Sequence, residues 1–314
     1  MADRTPIEWT DATWNPVTGC AVVSPGCAHC YAMVLAGGRL RHHPSRAGLT
    51  DMTKAGPVWN GQVRLNAAEL VKPLRWARSR RIFVCAHGDL FHEAVPFAWV
   101  DQVFAAMLLA PRHTYQVLTK RPERMAAYLD QLHGWRRPLG DAAELIAGAR
   151  HRAGLLRGLE AGLPNVWCGI SAEDQARFDA RWPHLRDARC AVRFLSAEPL
   201  LGPIEILPGL DWVIVGGESG PRARPMHGDW ARRIRDDCAA TGAAFFFKQW
   251  GEWCPWGEAM ADGAINLTKA GGDLHYFKGG GIASRVGKTR AGRLLDGVPH
   301  DVFPGSPAPR ARVA

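Results

Sequence analysis

"RIFVCAHGDLFHEAVPFAWVDQVFAAMLLAPRHTYQVLTK", Arg81 to Lys120, reads as a strand, a helix and a second strand. Arg81 to Cys85 is a short β-like run. Pro96 to Ala110 follows it with Phe97, Val100, Phe104 and Met107 at helical spacing, so one face should be buried, and Pro96 suits a first turn. Tyr115 to Thr119 is again a run of strand length. Such a strand-helix-strand succession is the repeating unit of a parallel sheet.

The same alternation continues on both sides. "QVRLN" (62–66) precedes the helix-like "AAELVKPLRWARSRR", and "NVWCGIS" (165–171), "AVRFLS" (191–196), "DWVIVGG" (211–217) and "AAFFFKQ" (243–249) are further β-branched or aromatic runs. With "TWNPVTG" (13–19) as an eighth strand, the pattern predicts an α/β fold: a TIM-like (βα) barrel, complete or partial. A doubly wound open sheet is the alternative, since element order alone does not show closure. Gly134 to Gly162 reads as a helical insertion after the fourth strand. Asp229 to Thr241 reads as a helix with Asp229 as N-cap, a stripe of Trp230, Ile234 and Cys238, and Gly242 as its stop.

Composition narrows the function classes. The net charge of +9 favours an anionic partner, nucleic acid or a phosphorylated metabolite. From Ala283 onward six basic residues oppose two acidic ones, the composition of an anion-binding arm or a solvated tail. No secretory signal opens the chain and no apolar run reaches membrane-span length, so a cytoplasmic protein is expected. Thirteen tryptophans are unusual; Trp9, Trp14, Trp59, Trp250, Trp253 and Trp256 have polar neighbours and serve either as pocket caps or as core. Eight scattered cysteines do not form a small disulfide scaffold, which leaves them as thiols, metal ligands or catalysts.

In a parallel barrel the functional groups stand where strands end. Polar residues recur at those points: His87 and Asp89; Thr119, Lys120 and Arg121; Ser171 and Glu173; Ser196 and Glu198; Glu218 and Ser219; Lys248 and Gln249. Asp89, Glu198 and Lys248 are the candidate catalytic residues among them. "TGCAVVSPGCAHCYA" (18–32) follows the first candidate strand and spaces Cys20, Cys27 and Cys30 as C-x6-C-x2-C, with Pro25 and Gly26 to turn the chain. Three thiolates with no local fourth ligand suit a [4Fe-4S] cluster with one open iron; zinc is the alternative, completed by His29 or a distant cysteine such as Cys254. Cys168 and Cys238 read as core residues, and Cys85 and Cys190 sit at strand edges. The glycine-rich turn "GGESG" makes Gly216, Gly217, Glu218 and Ser219 a candidate cofactor cradle, with Glu218 placed to grip an amine or ribose hydroxyl. A divalent metal held by Asp89, Glu173 and Glu198, as in a hydrolase or nuclease, is a further reading.

"IEWTDATWNPVTGC", "VSPGCAHCYA", "FLSAEPLLGPI", "VIVGGESGPRARPM", "FFFKQWG" and "GRLLDG" run in order from Ile7 to Gly297. Together they resemble the phage-associated three-Cys-motif family, the phage gp thirty-seven/sixty-eight proteins, whose reaction is not established and which is similar to radical S-adenosylmethionine (SAM) enzymes. That resemblance implies one barrel domain over 1–304, within which the glycine-rich, basic composition of 263–304 reads as an extension, and the proline-rich 305–314 reads as a disordered tail. It implies Cys20, Cys27 and Cys30 as ligands of a [4Fe-4S] cluster, S-adenosylmethionine as cosubstrate, an electron donor as partner, and a nucleic acid or nucleotide as substrate. Radical SAM enzymes usually space the cysteines C-x3-C-x2-C and carry a Gly-Gly-Glu element after the second strand; here the first gap is six and "GGESG" follows a late strand. A nucleic-acid-binding protein with a structural zinc or iron-sulfur site and no catalysis is the alternative function.

Overall fold

Ile82, Phe83 and Val84 are apolar in succession because this strand is covered on both faces, the usual state of a strand in a parallel sheet. In the computed structural model, which describes residues 5–133, 139–147, 162–264 and 273–305, it is one of seven parallel strands. The chain divides into two compact units, Met1–Ile170 with Arg181–Arg193, and Ser171–Ala180 with Phe194–Ala314.

The first unit orders its strands as β1 (Ala12–Trp14), β2 (Arg81–Val84), β3 (Thr114–Thr119) and β4 (Val166–Ser171). Trp14 lies opposite Val84, Val84 opposite Val117, and Val117 opposite Cys168, all four buried. α1 (Tyr31–Gly37) lies between β1 and β2, and α2 (Phe97–Leu109) between β2 and β3; α3 (Pro122–His133) and α4 (Leu139–Ala147) follow β3. α2 packs against α4 and, through Phe97 and Phe104, against the Tyr128 ring of α3 at 5.4 and 4.9 Å. Its burial therefore extends beyond one stripe, to Val103, Ala105, Ala106 and Leu108. The Tyr128 hydroxyl donates to buried Asp101 at 3.0 Å, which satisfies the acid in the helix.

In the second unit β5 (Val192–Ala197), β6 (Trp212–Gly216) and β7 (Ala244–Gln249) pair in parallel, with Phe194 opposite Trp212 and Trp212 opposite Ala244. α5 (Gln175–Arg186) lies between β4 and β5, and α6 (Gly228–Thr241) between β6 and β7. Strand order follows chain order in each unit, without the reversal that defines a doubly wound sheet. This is the α/β succession of a partial TIM-like barrel. A small antiparallel sheet of β8 (Trp253–Pro255), β9 (Leu274–Tyr276) and β10 (Ile282–Arg285) follows β7.

Three expectations change. "QVRLN" is not a barrel strand: Arg64 and Leu65 pair antiparallel with Val17 and Thr18, and the Arg64 guanidinium caps the carbonyls of Pro44 and Ala47. A half-buried strand carrying arginine and asparagine does not fit a sheet covered on both faces. The following segment forms two single turns, Ala67–Leu70 and Lys72–Arg75, the second with Pro73 in its first turn. The N-cap of α6 is His227, whose Nδ1 accepts from the Asp229 amide at 3.1 Å; Gly242 ends the helix in the left-handed conformation as expected. The tryptophans are core: Trp9, Trp14, Trp59, Trp250 and Trp253 are buried, and Trp14, Trp250 and Trp253 donate their indole N–H to the carbonyls of Glu69, Leu294 and Ala223, each at 2.7 Å. Of the inserted segment Gly134 to Gly162, Leu139–Ala147 is helical; 134–138 and 148–161 lie outside the described residues, as does 306–314 of the tail.

Candidate active site

The chain leaves β1, makes the short Val17–Thr18 pairing and reaches Gly19, where the cysteine segment begins. Gly19 bridges in parallel to Gly88 and donates its amide to the His87 carbonyl at 3.2 Å, so the segment starts against the loop after β2. Gly19 has φ +99°, and a Cβ there would run into the carbonyl of Gln62. Gly19→Ala is expected to cost about 1–3 kcal/mol through strain and collision, read as a lowered urea midpoint.

Pro25–Cys27 forms one 3₁₀ turn, the turn that Pro25 and Gly26 announced. The Cys30 amide bonds the Cys27 carbonyl at 3.2 Å, and Cys30 stands at the N-cap position of α1. α1 packs on a hairpin of Thr50–Thr53 and Gly56–Trp59 that sequence reading missed. Ala32, Met33, Ala36, Leu49 and Trp59 form one apolar cluster, against which both Cys20 and Cys30 pack.

The three thiols are unequal. Burial pushes Cys20 up to about 12, helped by Asp89 and opposed by Arg121. Burial also raises Cys30, against the amides of Met33 and Ala32 that favour its thiolate. At Cys27 burial works in the same direction, but Lys120, the Val23 amide and Ser24 outweigh it and lower the pKa; the Ser24 hydroxyl stands 3.7 Å from the sulfur. In the metal-free protein, iodoacetamide is expected to modify Cys27 at a lower pH than Cys20, as read by peptide mass spectrometry.

The loops after β2 and β3 supply the polar support. Asp89 is buried and accepts from Thr119 Oγ1 at 2.7 Å, the Phe91 amide at 3.0 Å, the Lys120 amide at 3.2 Å and Arg121 Nη1 at 3.0 Å. Its two oxygens thus tie the end of β2 to the end of β3. Arg121, also buried, places the same Nη1 3.6 Å from Cys20 Sγ and Nε 2.8 Å from Glu93. Its charge is fixed: burial opposes it, but Asp89, Cys20 and Glu93 raise the pKa. Arg121 was visible in the sequence only as one of many strand-end polar residues. Its contact with Cys20, 101 positions away, is a product of folding.

His87, just before this loop, accepts from Arg46 through Nδ1 at 2.9 and 3.2 Å. Burial and the Arg46 charge lower its pKa from 6.5 to about 4, so the folded state favours the neutral ring. That contribution to stability is full above pH 6.5 and is lost as pH falls from 6.5 toward 4. Urea midpoints across that range should fall less steeply in His87→Gln, which keeps an acceptor but does not titrate.

In the second unit Glu198, joined to Pro199 by a cis peptide bond, stands after β5. Lys248 Nζ contacts its two oxygens at 2.7 and 3.0 Å, and Gln249 Nε2 reaches Oε1 at 3.2 Å. A Cβ on Gly216 would lie 3.1 Å from this carboxyl carbon, so glycine admits Glu198 there. Glu198, Lys248 and Gly216 are therefore one cluster, whereas Asp89 belongs to the first unit. Gly217 lacks a side chain for a different reason: the Trp250 carbonyl occupies its Cβ position. Glu218 is buried and bound by Arg224 through its amide at 2.8 Å, Nε at 2.9 Å and Nη2 at 2.7 Å, while Ser219 is exposed.

Cys168, Cys238 and Cys254 are fully buried, and none of the eight cysteines is in a disulfide. Among the described residues no three His, Cys, Asp or Glu side chains stand in metal-ligating geometry, neither the Asp89, Glu173 and Glu198 set nor the three thiols. Asp89 already has its acceptor positions filled. The three thiols differ: they are soft donors on one short loop, two of them on the same apolar cluster, with cations and amides directed at them. By donor chemistry they fit a thiolate-held cluster once the side chains turn toward a common centre.

No curated protein matches the chain. Among solved structures it is similar to spore photoproduct lyase complexed with dinucleoside spore photoproduct, at 10% identity and a TM-score of 0.35. A point mutant of spore photoproduct lyase gives 11% and 0.34. In both cases 86% of this chain is covered, and the chain spans 66% of the other protein's length. No helix among the described residues is long and apolar enough to cross a membrane. Residues 4–304 match the family described as "Protein of unknown function (DUF5131)", and the chain belongs to that family.

Proposed function

We propose that this protein is an iron-sulfur enzyme of radical S-adenosylmethionine type that acts on a nucleic acid or nucleotide. One observation carries the reading. Three thiols outside any disulfide occupy one loop at the end of the first parallel strand, two of them packed on one apolar cluster and one of these with the Arg121 guanidinium 3.6 Å from its sulfur. The motif resemblance to the phage-associated three-Cys-motif proteins and the net charge of +9 support the enzyme type and substrate class.

Cys20, Cys27 and Cys30 would hold the cluster, which when bound supplies one-electron chemistry. Asp89 fixes the ends of β2 and β3 and holds Arg121 against Cys20. In the second unit Lys248 shares its Nζ protons with Glu198, an acid-base pair available to a substrate group. As a SAM cradle, "GGESG" fits less well. The Glu218 carboxylate is already bound by Arg224, and the spaces at Gly216 and Gly217 are filled by Glu198 and the Trp250 carbonyl, which leaves the exposed Ser219 as the group available to a ligand.

The test begins with anaerobic purification, iron and sulfide analysis and an absorption spectrum. The expected result is a brown protein with iron and sulfide that cleaves S-adenosylmethionine when reduced. A colourless protein containing zinc would overturn the reading in favour of a nucleic-acid-binding protein with a structural metal. An iron-sulfur protein that neither binds nor cleaves S-adenosylmethionine would leave the cluster and remove the enzyme type.

A further inference from the structure

The Arg121 guanidinium does more than neutralise Asp89. Nη1 is shared between Asp89 Oδ2 at 3.0 Å and Cys20 Sγ at 3.6 Å, Nε is held by Glu93, and Nη2 is buried without an acceptor. The side chain is 6% exposed, and two acids and the Thr119 hydroxyl, which accepts from its amide, fix its position. A guanidinium directed at a sulfur and shielded from solvent acts on that sulfur with little screening by mobile ions, opposed here by the Asp89 carboxylate it also binds.

We propose that Arg121 is a positioning residue of the cysteine centre, donating N–H to the Cys20 sulfur and holding the reduction potential of a cluster bound there above the value it would otherwise take. This rests on the cluster reading given above. Reduction adds one electron and no proton to the cluster, so the reduced form carries more negative charge on its sulfurs. N–H groups and a fixed cation beside a ligand sulfur stabilise that form more than the oxidised one, and thereby raise the potential. Asp89 and Glu93 act in the opposite sense. Glu93 is the accessible half of that balance, since its side chain is 67% exposed.

The experiment is a dithionite titration of the reconstituted holoprotein, followed by loss of visible absorption and by the paramagnetic signal of the reduced cluster. Wild type, Arg121→Gln, Arg121→Lys and Glu93→Gln are compared. Arg121→Gln should disfavour reduction by about tenfold, a shift of about 59 mV to lower potential for one electron. Arg121→Lys, which keeps the charge but not the fork that spans Asp89 and Cys20, should move in the same direction by less. Glu93→Gln removes an anion and should shift upward. Equal potentials in wild type and Arg121→Gln, or shifts of the same sign in Arg121→Gln and Glu93→Gln, would overturn the proposal. So would loss of the cluster from both Arg121 variants with circular dichroism unchanged, because the residue would then serve assembly. Wild-type protein without iron would defeat the cluster reading itself, detected by metal analysis before any potential is measured.

Discussion

Alanine at Cys20, Cys27 or Cys30 is expected to leave the anaerobically reconstituted protein with less than about a tenth of its iron, and without the broad visible absorption of a cluster. A cluster held by three thiolates has no spare ligand, and the described residues offer no converging His, Asp or Glu to replace one. The fold should survive, because Cys20 and Cys30 pack at the border of a small apolar cluster and Cys27 lies in a 3₁₀ turn, none of them in the sheet core. Cys190→Ala is the control: its thiol lies near the carbonyls of Ala188 and Val192, outside the loop, and iron should be unchanged. Retention of full iron by all three loop variants would place the metal elsewhere and end the proposal.

Asp89→Ala should destabilise the protein by about 3–5 kcal/mol, measured by urea unfolding, because it leaves the Arg121 charge buried without its main partner. The loss extends past the ion pair. The Thr119 hydroxyl and the Phe91 and Lys120 amides also lose their acceptor, so the connections after β2 and β3 loosen together. Adding Arg121→Met should recover part of the cost, since an apolar side chain removes the stranded charge. A loss below about 1 kcal/mol would show that solvent reaches this pair and that its burial is not maintained.

The parallel succession was legible because burial on both faces leaves a direct mark on sequence. Runs such as Arg81 to Val84 and Trp212 to Gly216 contain few polar residues, and the apolar repeat of α2 has the helical period. "QVRLN" misled because Val63 and Leu65 alternating with polar residues suit a short half-buried pairing as well as a barrel strand. The hairpin of Thr50–Thr53 and Gly56–Trp59 carried too little alternation to be read, with one strand exposed along most of its length, yet it helps to mount the cysteine loop. The N-cap of α6 was misplaced by two residues because a histidine nitrogen can do what an aspartate usually does.

At the site, residue type and spacing by themselves gave the three thiols, the turn between them and the polar strand ends. Those are local properties: ligand chemistry belongs to the side chain, and strand and turn preferences to a few neighbouring residues. Only the tertiary structure decided which partners each group received. Asp89 was read as catalytic and is saturated by four donors; Glu218 was read as a free grip and is bound by Arg224; Glu198 and Lys248, 50 positions apart, form a pair. Arg121 approaches Cys20 across 101 positions because β1, β2 and β3 run in parallel and in register, so their carboxyl ends meet. Sequence spacing does not encode that meeting; the pairing of the strands does.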